Sequence, residues 1–69
     1  MEVKWEDGFT IAVKSDVKEI DISANREGLI SLANICLTLS ERAPGSHIHL
    51  DEYNSLAEGS AELIIEKTS

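Results

Sequence analysis

Residues 20–45, IDISANREGLISLANICLTLSERAPG, contain the change of period that decides the fold. Ile20 and Ile22 alternate with polar residues, as in a strand. From about Asn25 the apolar residues return at intervals of three and four, as in a helix. Asn25 or Ser23 is placed to cap that helix, and Glu27 puts a negative charge in its first turn. Ala43-Pro44-Gly45 stops it, with Arg42 in the last turn. On a wheel of about 100° per residue, Glu27, Ser31, Asn34, Thr38 and Glu41 form a narrow polar stripe. Leu29, Ile30, Leu32, Ala33, Ile35, Cys36, Leu37 and Leu39 cover the remainder, which is wider than one sheet face can bury. Such a helix is either sunk deep in its own small core or meets a second copy or a partner along its flank. Gly28 lowers helix propensity by about 1 kcal/mol relative to Ala. It either permits close helix-to-sheet contact or marks a late helix start.

Upstream, Val3 and Trp5, then Phe9, Ile11 and Val13, then Ile20 and Ile22 alternate as strands. A three-residue loop Glu6-Asp7-Gly8, with Gly8 in the left-handed position, sets Trp5 opposite Phe9 and Val3 opposite Ile11. A two-residue turn would put the two apolar sets on opposite faces. A four-residue loop Ser15-Asp16-Val17-Lys18 sets Val13 opposite Ile20 and Ile11 opposite Ile22. The expectation is a three-stranded meander with one apolar face. Downstream, alternation returns in Ser46-His47-Ile48-His49-Leu50 and, after a polar connection over 51–59, in the run from Ala61 to Glu66. Ile48 and Leu50 should face the helix with Ala61, Leu63 and Ile65, leaving His47, His49, Asp51, Glu62, Ile64 and Glu66 on the other side. Lys67 to Ser69 read as a frayed end. The fold class expected is α+β: one domain over residues 1–69, an antiparallel sheet in βββαββ order with one helix on one face.

The chain has 69 residues, 13 Asp and Glu against 6 Lys and Arg, and a net charge of -7. This balance opposes binding to nucleic acid or anionic lipid, which rests on cations displacing counterions from phosphates. It suits a basic protein partner. The apolar runs are a few residues long, far short of the roughly 20 that span a bilayer, and no basic segment precedes an apolar one near the start. The expectation is a soluble protein without a signal peptide, in a reducing cytoplasm. Cys36 stands alone, which excludes an internal disulfide and a thiolate zinc site within one chain.

The residues that could carry chemistry are few. His47, His49 and Asp51 share one strand face at spacing two, so a metal could be held there, above all if a dimer brought two such strands together. A catalytic zinc site normally needs three protein ligands, and a third histidine is missing. The plainer reading is two histidines on a solvated face beside Glu62 or Glu66. Cys36 lies at an apolar angle of the helix, where a thiol behaves as a small hydrophobe. Ser46 and His47 point to opposite faces, so they make no catalytic pair. No phosphate-cradling glycine motif occurs. An enzyme is not expected, and neither is a cofactor. What remains is surface: His47, His49, Asp51, Glu52, Tyr53 and Glu62 form the candidate partner-binding set, with Tyr53 as the aromatic anchor in a polar loop.

The blocks GSHIHLDEYN (45–54) and GSAELII (59–65), together with SANREGL (23–29), resemble the immunity protein 32 family of bacterial polymorphic toxin systems. The likeness spans about Ile20 to Lys67 and leaves the first strands unmatched. It implies a small cytoplasmic protein that binds and neutralises a cognate toxin, without catalytic residues or cofactor. The alternatives are a metal-binding homodimer built on His47 and His49 and a structural homodimer joined through the apolar helix.

Overall fold

A computed structural model describes residues 2–69 and orders the chain as two hairpins flanking one helix: β1 (Ile11–Ser15), β2 (Ile20–Ala24), α1 (Arg26–Ser40), β3 (His47–Leu50) and β4 (Leu63–Glu66). The α+β class holds. The sheet is not one five-stranded layer but two antiparallel two-stranded sheets, β1–β2 and β3–β4.

The expected first strand does not form, and the reason lies in the edges of β1. One edge pairs with β2. The other is taken by the segment leading into β4: Ala57 N donates to Ile11 O at 2.8 Å, Val13 N to Ser60 Oγ at 3.1 Å, and Ala61 N to Val13 O at 2.8 Å. No edge is left for the N-terminal segment. That segment lies along the helix instead, with Asn34 Nδ2 donating to Lys4 O and Glu6 N donating to Ser31 Oγ, both at 2.9 Å. The polar stripe read from the sequence is therefore partly a docking strip. Ser31 is wholly buried, its hydroxyl paired with a backbone N–H as burial requires. The Glu6-Asp7-Gly8 turn does form, with Gly8 at φ +80° and Phe9 N donating to Glu6 O. It brings the rings of Trp5 and Phe9 to 4.8 Å.

In the first hairpin the register differs by two residues from that expected: Val13 faces Ile22 and Ile11 faces Ala24, not Ile20 and Ile22. Turn chemistry decides this. Asp16 Oδ1 accepts from the backbone N–H of Lys18 and of Glu19, each at 2.9 Å, and Asp16 N donates to Glu19 O, so the loop is 16–19. A shift of two keeps every side chain on its face. Ile11 and Val13 enter the core while Ile20 and Ile22 stay exposed.

Asn25 caps α1 and ties its start to β1. Its Oδ1 accepts from Gly28 N at 2.7 Å and Thr10 N at 2.9 Å, and its Nδ2 donates to Gly8 O at 2.9 Å. Gly28 serves close contact: a Cβ there would run into the Thr10 carbonyl oxygen and sit 3.0 Å from both Ala24 Cβ and Ile11 Cγ1. The helix ends at Ser40, before Arg42, and its last turn holds no basic residue. The cation comes from far along the chain. Lys67 Nζ donates to Ser40 O at 2.9 Å and to Arg42 O at 2.7 Å, satisfying carbonyls at the helix end. Lys67 N also donates to Ser46 O, so the residue expected to fray extends the β3–β4 ladder and closes the fold.

The core gathers Ile11, Val13, Ile35, Leu39, Leu50 and Leu56. Leu56 comes from the middle of the polar connection and pins that loop to the body. Among the described residues every buried side-chain nitrogen and oxygen has a hydrogen-bond partner.

Candidate functional site

The β3–β4 hairpin pairs Ile48 with Ile65 and Leu50 with Leu63, and all four turn to the core, the face that the alternation implies. Pleating then sends His47, His49, Ile64 and Glu66 outward, with His47 opposite Glu66 and His49 opposite Ile64. The two imidazoles meet edge to face at 5.0 Å between centroids. His49 Nδ1 lies 3.5 Å from Glu62 Oε2, both side chains about half exposed, so the pair contributes little to stability. His47 Nδ1 sits 3.1 Å from Gly45 O, an arrangement in which that nitrogen donates and Nε2 stays free for another group.

The loop after β3 is built from its own hydrogen bonds. Asp51 Oδ1 accepts from Tyr53 N at 2.9 Å and Asn54 N at 3.1 Å. Asp51 O accepts from Asn54, Ser55 and Leu56 N–H groups. Asn54 Oδ1 accepts from Asp51 N, and Asn54 Nδ2 donates back to His49 O at 3.0 Å. Glu52 Oε2 accepts from Gly59 N at 2.8 Å across the loop. With Leu56 buried beneath it, this scaffold holds Tyr53 out into solvent at 90% exposure.

Of the six residues singled out in the sequence, His47, His49 and Glu62 thus come together on one face, and Tyr53 stands exposed on the loop that follows β3. Asp51 and Glu52 belong to the same region but spend their carboxylates on shaping the loop. Asp51 Oδ1 is engaged by the N–H groups of its own turn. Among the described residues no three His, Cys, Asp or Glu side chains converge as a metal site would need. Cys36, placed by its wheel angle among the apolar residues, is exposed on the helix. Sequence reasoning passed over the exposed Val17 and Ile20, whereas Leu29 and Leu37, also exposed, belong to the broad apolar surface it marked on the helix. No helix is long and apolar enough to cross a membrane among the described residues.

The family model described as Immunity protein 32 matches residues 19–68, from the residue before β2 to the C-terminal ladder that holds Lys67. β1 lies outside the matched stretch although it supplies Ile11 and Val13 to the core. No curated protein matches the chain, and no solved structure does.

Proposed function

The chain belongs to the immunity protein 32 family, and on that premise we propose that it binds and neutralises a cognate toxin in the cytoplasm through the outward face of β3–β4 and the loop bearing Tyr53. The observation that carries the assignment of this surface is the exposed Tyr53 on a loop that its own hydrogen bonds hold in shape. A rigid, amphipathic ring presented in advance gives contact area without the entropy of ordering a mobile loop. His47, His49 and Glu62 extend the contact as polar groups around that anchor. The net charge of -7 favours a basic toxin domain, whose approach it would steer. Neutralisation of this kind works by occlusion and needs no catalytic group or cofactor in this chain.

The test is a pull-down of tagged chain from its native lysate at low and moderate salt, followed by co-expression with whatever is retained. The expected result is one basic protein, released as salt rises, that stops growth when expressed alone and is tolerated beside the wild-type chain. Protection should be lost with Tyr53→Ala. It should weaken with Asp51→Asn plus Glu52→Gln, where Asn can still form the turn and only charge is removed. A retained protein that is harmless alone, or protection unaltered by all these changes, would overturn the assignment.

A further inference from the structure

The helix turns one face to the core through Ile35 and, about 160° away on the wheel, presents a second face to solvent. Along that outer face stand Leu29 at 56% exposure, Ala33, and Leu37 at 66% exposure. No charge interrupts these three turns in a chain of which 28% is charged. Between Leu29 and Leu37 a basic toxin finds no carboxylate to pair with, and the hairpin face proposed above lies on the other side of the core. A second copy of this chain does find complementarity. Leu29 and Leu37 lie four residues to either side of Ala33, at about 40° to its left and right. A two-fold axis through Ala33 therefore sets each Leu29 level with the other copy's Leu37, while the small Ala33 lets the backbones approach. The same axis brings Arg26, whose side chain is 77% exposed, level with the end of the other helix, where Glu41 is exposed. Both fall on the same side of the seam. The antiparallel arrangement also sets opposite helix dipoles side by side.

We infer that the outer face of α1 is a homodimer interface, two copies packing their helices antiparallel about a two-fold axis at Ala33, with Arg26 of each facing Glu41 of the other. One helix pair is a small interface, so association falls in the range of about 10–100 µM. The register makes a prediction about Cys36. The two thiol-bearing residues lie about 9 Å apart along the axis, too far for a disulfide. A cysteine at position 33 lies on the two-fold itself.

Sedimentation from about 1 µM to about 1 mM tests this. Wild-type chain should pass from one-chain to two-chain mass, and Leu37→Glu should stay at one-chain mass with unchanged circular dichroism. Arg26→Glu should weaken the dimer about threefold or more, and Arg26→Glu combined with Glu41→Arg should restore it. Both charge changes suit the helix dipole, so loss of fold cannot account for the weakening. Under oxidation, Ala33→Cys in a Cys36→Ser background should cross-link, and wild type should not. One-chain mass throughout would overturn the proposal, as would a dimer indifferent to Leu37→Glu or to the charge exchange. A chain that stays monomeric while Leu37→Glu lowers its affinity for the retained toxin would give this face to the toxin instead.

Discussion

The two hairpins grip the helix from opposite ends, and they do so by different means. The first holds the N-terminus by backbone contact: Gly28 lies against the Thr10 carbonyl and Asn25 stitches Thr10, Gly8 and the first turn together. The second holds the C-terminus through one long side chain, Lys67, reaching the carbonyls of Ser40 and Arg42. A backbone contact tolerates no added atom, whereas a flexible ammonium accommodates small shifts. The β1–β2 end is thus the part of the fold that tolerates sequence change least. The β3–β4 end keeps its core-facing residues fixed and leaves its outer face, with the histidines and Tyr53, exposed.

The contrast is broken most severely at Gly28. Gly28→Ala should cost about 3 kcal/mol or more, because the methyl group meets backbone on one side and Ile11 on the other. Urea unfolding reads this as a lowered midpoint, and a loss under about 1 kcal/mol would show that the junction gives way more easily than a backbone contact should. Lys67→Met should cost less, about 1 kcal/mol, since it keeps the aliphatic stem and removes only the charged donor at the helix end. If Lys67→Met proved as damaging as Gly28→Ala, the two ends would not differ in kind.

The smallest effect belongs to the Asp16 turn. Backbone N–H donors from Lys18, then Glu19, hold its carboxyl below the ordinary value of 3.8. A group whose folded pKa is depressed adds stability that is present above the unfolded value and lost as pH falls through the folded one. Stability should therefore decline below about pH 4. Asp16→Asn should remove the part of that decline due to this turn, leaving a shallower acid limb in a thermal-melt series. An acid limb of unchanged slope would separate the turn from the titration.

Legibility followed the same division. On β3 and β4 the faces were readable, since alternation keeps Ile48, Leu50, Leu63 and Ile65 together, while the register that pairs Ile48 with Ile65 comes from the structure alone. The first hairpin resisted because two registers keep the same faces, and the choice fell to the hydrogen bonds of Asp16. Val3 and Trp5 alternate as a strand would, yet the edge they needed was occupied by residues nearly fifty positions away, a competition no local pattern reveals. Ser31 was read as surface by its chemistry and is buried because Glu6 supplies a donor. At the site, the shared face of His47, His49 and Glu62 followed from pleating alone. The inward use of Asp51 and Glu52 did not, since a carboxylate in a polar loop reads the same whether it meets solvent or backbone. Leu56, one leucine in a polar connection, was the visible mark of a loop pinned to the core.

The most direct measurement is calorimetric titration of the toxin domain retained by the wild-type chain against wild type and Tyr53→Ala. The account predicts at least about 30-fold weaker binding by Tyr53→Ala, the loss typical of a central aromatic anchor, with no change in melting temperature. Equal affinity of the two proteins would contradict it and move the toxin-binding surface away from the β3–β4 hairpin.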